Sequence, residues 1–441
     1  MPPPRHWPPA TRHYLGIDFG TSAVRACLID DAGRPVAEAR AALPSPRRDG
    51  RAVEQDPGDW WRTLQEVLPR LGRHLQKVAA VALDGTSGTV LLCRPDGEPL
   101  GPALLYNDTR ATAEARRVAA AAPADSPAAS PAAALPKVLH LLHHLKPASP
   151  CLALSQADWL LGRLTGRFGI ADEHNALKLG YDPLRRTWPD WLQRLALPAG
   201  LLPEVVPAGT LVGELAKDVA RAFGLPAATR AVAGTTDSTA GAIATGIEGP
   251  GEAVTSLGST LVVKILSEAP LFSREHGVYS HRLGDLWLAG GASNSGGAVL
   301  RQFFTDARLD ELSRRIRPAR ASCLDYMPLP ATGERFPVND PQLEPRLSPR
   351  PRDDVRFLHG LLESIARIER RGYRLLGSMG AGWPRRVLTV GGGARNPAWT
   401  QIRARLLRTE VTAATQSEAA YGAALLARNS VHNKKGVRRE G

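Results

Sequence analysis

The feature that most constrains this chain is a pair of matching segments, one in each half: YLGIDFGTSAVRACLI from Tyr14 and AVTSLGSTLVVKIL from Ala253. Each reads as an apolar strand, a tight turn and a second apolar strand. The turns are Gly20-Thr21-Ser22 and Gly258-Ser259-Thr260. Glycine lets the backbone come close to a ligand and the hydroxyls add donors, so either hairpin can cradle a phosphate. Two such hairpins hint at two related α/β units facing a shared nucleotide, and 441 residues are enough for two cores. A lone D-x-G-T turn has many chance matches, and an ordinary β-hairpin stays open as the reading of either one.

Between the hairpins lies AGTTDSTAGAIATG, Ala233 to Gly246. RAVAG before it closes a strand, and from Ser238 the apolar residues fall at helical spacing. Asp237 therefore sits at a helix start, where amide groups and the helix dipole favour negative charge. A carboxylate there can take a proton from a substrate hydroxyl beside a bound phosphate. A plain helix cap is the other reading of the same residue. Asp18, at the end of the first strand, can hold a hydrated magnesium ion.

The stretch KVAAVALDGTSGTVLLCRPDGEPLGPALLYNDTRA runs as a buried strand into a small polar loop at 84–89, then two more strands ending at Asn107-Asp108. Such a loop suits a polyol, and an exposed glycine hairpin fits equally well. Asp56 and Pro57 start a helix with Trp60, Trp61, Leu64, Val67 and Leu68 on its apolar side. Residues 111–136 are rich in Ala, Pro and Ser, which predicts a helix followed by a poorly ordered insertion. LPKVLHLLHHL is an amphipathic helix whose His140, His143 and His144 read as surface or packing residues, because no second ligand cluster accompanies them. Near the end, glycines 391–393 would let the chain lie flat against a purine, Asn396 can cap the next helix, and Trp399 one turn on can stack on the base. SEAAYGAALLARN is a small-residue helix built for close packing.

Composition narrows the class. The net charge is +13, yet the arginines are spread along the chain and aromatic residues are only 5%, which argues against a nucleic-acid interface. A positive surface would instead attract an anionic nucleotide. The four cysteines have no metal-ligand spacing and make no disulfide framework, so a reducing cytoplasm is expected. No apolar run approaches the ~20 residues of a membrane helix. The two ends, 1–13 and the basic tail 429–441, read as disordered.

In combination the motifs are specific. DFGTS at 18–22, DGTSGT at 84–89, GTTDS at 234–238, SLGST at 256–260, GGGARN at 391–396 and EAAYGAALLA at 418–427 stand in the order found in the FGGY carbohydrate kinases. The chain resembles that family from about Tyr14 to Ala427. SQADWLLGRLTG, NALKLGYDP and GGASNSGGAVL look closest to the branch of plant and cyanobacterial D-ribulose kinases, once described as xylulose-kinase-like.

The resemblance implies an α/β fold of two ribonuclease-H-like domains, of the actin, Hsp70 and hexokinase type, flanking a deep catalytic cleft. The sugar-binding domain would span 14–245 and the ATP-binding domain 246–428, with the last helix free to pack back on the first domain. It implies Asp237 as catalytic base and Asp18 as the carboxylate associated with Mg²⁺ and substrate, Asp237 sharing the metal. Ser22, Arg25 and Ser87 match sugar contacts, with Ala23 beside them where relatives often carry Gly, and Asp108 matches a sugar-contacting acid less securely. Gly20, Thr21 and Ser22 match the first phosphate hairpin and Gly258, Ser259 and Thr260 the second. Gly392, Gly393, Asn396 and Trp399 match the adenosine site.

The expected reaction is MgATP-dependent phosphorylation of a ketopentose, D-ribulose first, by a monomer or homodimer without nucleic-acid or membrane partners. D-xylulose or another ketose is the rival within the class. An actin-like binding or chaperone ATPase is the rival outside it.

Overall fold

The computed structural model describes Arg12 to His432. The expected disordered ends therefore lie outside the described residues up to position 11 and from position 433. Within the described chain, His13 already opens the first strand and residues 429–432 continue the last helix. Two compact units emerge. The first takes the chain to Ala122, then Ala128–Ala244, and resumes at Glu418; the second takes Pro123–Pro127 and Thr245–Ser417.

The first unit is built on a six-stranded mixed sheet. Its strands are β1 (His13–Phe19), β2 (Ala23–Ile29), β3 (Pro35–Ala42), β4 (Val78–Gly85), β5 (Leu211–Glu214) and β6 (Arg230–Thr236), in spatial order β5-β6-β4-β1-β2-β3. β1, β2 and β3 form an antiparallel meander, and β4 and β6 run parallel to β1. Alternation sorts the side chains. Leu15, Ile17, Phe19, Val24 and Leu28 pack into a large core with Trp60 and Leu64 of α1 (Pro57–Val67). Asp56 caps α1 as its sequence foretold, accepting the Gly58 amide at 2.8 Å.

Helices α2 (Thr112–Ala121), α3 (Ala134–Leu145) and α4 (Gln156–Thr165) follow. The segment between α2 and α3 is a correction to the reading of a poorly ordered insertion. Ala128 and Ala129 are buried with Val118, Leu135 and Leu192 in a satellite core. An Ala-rich stretch looks featureless, yet its short side chains are what let it lie close to two helices. Helix α5 (Asp237–Ala244) leaves β6 directly.

The second unit repeats the plan. Its strands are β7 (Glu252–Leu257), β8 (Leu261–Ser267), β9 (Tyr279–Leu283), β10 (Leu286–Ser293), β11 (Arg386–Val390) and β12 (Glu410–Ala413), in order β9-β10-β8-β7-β11-β12. Again a hairpin leads, an antiparallel strand extends it, and two later strands run parallel to the first. The long helix α6 (Asp354–Leu376) and α7 (Pro397–Leu407) cover this sheet. They are tied by a fully buried ion pair, Arg403–Glu369 at 2.7 Å, which also reaches Thr389 of β11 and Thr255 of β7.

The last helix, α8 (Ala419–His432), belongs to the first unit, packing against β1 and α5. Its approach is backbone to backbone: a methyl on Gly16 would overlap the Ala420 carbonyl, and one on Gly422 would overlap that of Ala240. No helix among the described residues is long and apolar enough to cross a membrane.

Candidate active site

Three carboxyl groups gather at the C-terminal ends of neighbouring parallel strands in the first unit. Asp18 ends β1 opposite Arg25 of β2, whose Nη1 donates to Asp18 Oδ2 at 2.7 Å. The same guanidinium lies 3.7 Å from Glu418, just before α8. Asp84 stands level with Asp18 on β4, and Thr235 of β6 stands level with Asp84. One step on, β6 turns into α5 at Asp237, whose Oδ1 accepts the Ser238 amide at 2.6 Å. Gly234 makes this convergence possible, since any side chain there would run into the Leu83 carbonyl.

Asp84 is wholly buried, and no N–H or O–H donor serves either of its oxygens. Burial pushes its pKa well above the ordinary carboxylate value, and the negative charges of Asp18 and Asp237 add to the effect. Its carboxyl lies against that of Asp18, a contact two carboxyls make only when one keeps a proton. Of the three, Asp84 is the carboxyl whose surroundings favour the protonated form.

The residues matched to the sugar separate into two groups. Ser22 is exposed at the tip of the first hairpin, where Gly20 N–H closes the turn on the Ala23 carbonyl at 3.1 Å, and Thr21 is half-buried. Ala23 is buried on the Arg25 face of β2. In the 84–89 loop, the Thr86 amide donates to Gln156 Oε1 at 3.1 Å and the Ser87 hydroxyl is buried with no protein partner. A buried hydroxyl without a protein partner is uncommon and calls for an explanation.

Asp108 is placed differently. It is fully buried, and its carboxylate accepts the Val53 amide at 2.8 Å, the Arg110 amide and the Arg110 guanidinium at 2.7 Å. Those bonds take up its oxygens, so we assign it to scaffolding. Its neighbour Asn107 has the orphaned buried oxygen, Oδ1.

The second unit holds a cavity of about 830 Å³ lined by Gly258, Leu300, Gly392, Gly393, Asn396 and Trp399, among others. Ser259 is exposed and Thr260 half-buried at the hairpin tip, which is stapled from below by Gly297 N–H to Gly258 O at 2.9 Å and Ala298 N–H to Ser259 O at 3.0 Å. Gly391, at φ 84°, turns the chain into the cavity wall. Asn396 caps α7 through the Trp399 amide and donates from Nδ2 to Ser313 Oγ at 2.8 Å. Trp399 departs from expectation: at 3% exposure it is a core residue that lines the cavity, not an open stacking platform.

Sequence reasoning missed three residues here: Asp84, Asn107 and Lys137. Asp84 stood inside a quoted motif, but its chemistry comes from strands distant in sequence. Lys137 sits in a helix that reads as amphipathic, with nothing to mark its burial.

Comparison with known proteins bears on the whole chain. The family model for the N-terminal domain of the FGGY carbohydrate kinases matches residues 13–244, and the C-terminal model matches 253–430. The xylulose kinase of Escherichia coli (strain K12) is 29% identical over 448 residues, covering 96% of this chain and 91% of that protein. A crystal structure of a xylulose kinase from Brucella ovis superposes with a TM-score of 0.87 at 27% identity, covering 96% of this chain and 91% of that one. A gluconate kinase from Lactobacillus acidophilus shares the fold alone, with a TM-score of 0.86 at 18% identity over 97% of this chain and 91% of its own. The two repeated α/β units are thus the ribonuclease-H-like pair of sugar kinases, and the chain belongs to the FGGY family of carbohydrate kinases.

Proposed function

We propose that this kinase transfers the γ-phosphoryl group of ATP to the terminal hydroxyl of a ketopentose, with D-ribulose as the first candidate and D-ribulose 5-phosphate as the product. The observation that carries the reading is Asp237 at the start of α5, in one cluster with Asp18 and the buried Asp84. Asp237 accepts the proton of the C5 hydroxyl. That oxygen forms a bond to the γ-phosphorus as the bond from phosphorus to the β–γ bridging oxygen breaks, and ADP leaves with the electron pair. General-base help of this kind is worth about 10²–10⁴-fold, the remainder coming from positioning and electrostatics.

Magnesium fits the donor set. Hard oxygen ligands with surplus negative charge suit it, and Asp18 and Asp237 would hold it. Among the described residues no His, Cys, Asp or Glu cluster encloses a metal by itself. Mg²⁺ is ordinarily held by one or two carboxylates together with substrate phosphates, so no such cage is needed. When bound, it would neutralise charge on the phosphates. The Gly20–Ser22 turn of the first unit and the Gly258–Thr260 turn of the second each offer hydroxyls and backbone N–H groups suited to phosphate oxygens, and the glycine-lined cavity of the second unit receives the nucleoside.

For D-ribulose speaks the resemblance to its branch, one motif of which meets the 84–89 loop: Lys178 of NALKLGYDP donates to the Ser87 carbonyl of DGTSGT at 3.3 Å. For D-xylulose, its C3 epimer, speak the names of the relatives at 27–29% identity. A pocket of few direct contacts separates epimers weakly. A coupled ADP-release assay with MgATP against a ketose and polyol panel decides. Preferential stimulation by D-ribulose supports the reading, and preference for D-xylulose replaces the substrate while keeping the mechanism. ATP binding with no response to any sugar overturns it.

A further inference from the structure

Lys137 of α3 is fully buried, and its Nζ donates to the carbonyl oxygens of Gly88 at 2.9 Å and Leu105 at 2.6 Å. Gly88 follows Ser87 in the 84–89 loop, at φ +90°. Leu105 leads directly into Tyr106-Asn107-Asp108. The amine thus joins two segments that carry orphaned oxygens close by: the Ser87 hydroxyl one residue before Gly88 and Asn107 Oδ1 two residues after Leu105. Thr86 is tied to Gln156 and the Ser87 carbonyl to Lys178, while Thr89 Oγ1 accepts the Tyr106 amide at 3.0 Å and makes a second link between the same two segments.

Burying an amine costs free energy that a methionine of the same length would not incur. The neighbouring charges do not remove that cost. Lys178 and Arg110 repel the ammonium while Asp108 attracts it, and burial pushes the Lys137 pKa down to about 7. The neutral amine still has two N–H donors for its two carbonyls. Packing alone gives no reason for a lysine here, since Ala134, Val138 and Leu141 of the same helix sit in an apolar cluster.

We propose that Lys137 is a positioning residue for the sugar: it fixes the spacing between the Ser87 hydroxyl and the Asn107 carbonyl so that both meet the same ketose. The inference rests on the sugar-kinase reading of the 84–89 loop. Its test has one arm that needs no substrate.

In Lys137→Met, the Michaelis constant for the ketose rises by about tenfold or more, kcat changes by less than about threefold and the ATP constant stays put, the signature of lost sugar binding. Lys137→Gln, a shorter donor, falls between the two and carries the test if Lys137→Met is not recovered folded. Amide hydrogen exchange on the sugar-free protein speeds up at residues 86–89 and 106–108 in both variants, while exchange in the second unit is unchanged. A folded variant with the wild-type ketose constant overturns the proposal. So do ketose and ATP constants rising together with a lower melting temperature. If wild-type protein responds to no sugar, the parent reading fails. The exchange arm then stands alone, and wild-type exchange at 86–89 sinks the lysine's role as well.

Discussion

A carboxylate at the start of a helix is held still by the amide it accepts, as Asp237 is by the Ser238 amide, and the proposed mechanism uses that hold to place a base. Asp237→Asn keeps the shape and the bond to Ser238 but loses the base. Turnover should fall by about 10²–10⁴-fold, with ATP affinity by calorimetry and the melting temperature close to wild type. Near-normal turnover would remove Asp237 from the mechanism.

Asp84 makes the opposite kind of prediction. Its folded-state pKa is raised, so the folded protein keeps a proton that the unfolded chain gives up above its ordinary carboxylate value. Stability linked to this group is therefore intact below the unfolded pKa, near ~3.9, and is lost as pH rises from there through the folded pKa. Asp84→Asn can donate to Asp18 without a proton to lose. It should be more stable than wild type at pH 8, by about 1–3 kcal/mol, with the difference vanishing toward pH 4. Denaturant titrations at the two pH values check this, and a constant difference would refute it. Asp18 and Asp237 were legible because short motifs surround them. Asp84 was visible as a letter, but its raised pKa is a property of three strands that meet only in the fold.

At the level of elements, the two hairpins and the strand-to-helix join at Asp237 were readable from local pattern, because turn glycines and apolar runs act within a few residues. The stretch from α2 to α3 was not. Low complexity reads as disorder in a sequence, whereas Ala128 and Ala129 bury themselves against α2 and α3. The small-residue pattern of α8 announced close packing but could not name its partners, which lie at the other end of the sequence. Those partners are β1 and α5, the elements that carry Asp18 and Asp237. Gly422→Ala forces a methyl against the Ala240 carbonyl of α5. Overpacking of this sort costs about 1–3 kcal/mol or more, and backbone gives way less easily than a side chain. The urea midpoint of the first unit should drop and kinase activity with it, while nucleotide binding, assigned to the second unit, persists. An unshifted midpoint would show that α8 can move aside.

For the molecule as a whole, the repeated sheet order explains why one family model covers each half, and why both hairpins look alike in sequence. The surplus of arginine is partly spent inside the units: Arg110 serves Asp108 and Glu54, Arg403 serves Glu369, and Arg405 serves Glu363. Removing everything after Ser417 takes α8 from the first unit and leaves the second complete by its own contacts. Such a truncation should abolish sugar-dependent turnover and the thermal transition of the first unit yet retain ATP binding, as calorimetry and scanning fluorimetry would report. The order of synthesis gives α8 a further consequence. β1 is translated before the α8 that covers it, so its apolar face stays uncovered by α8 while the intervening unit is made. The first unit is therefore completed after the second, and a chain released before α8 is made leaves the first strand without its cover.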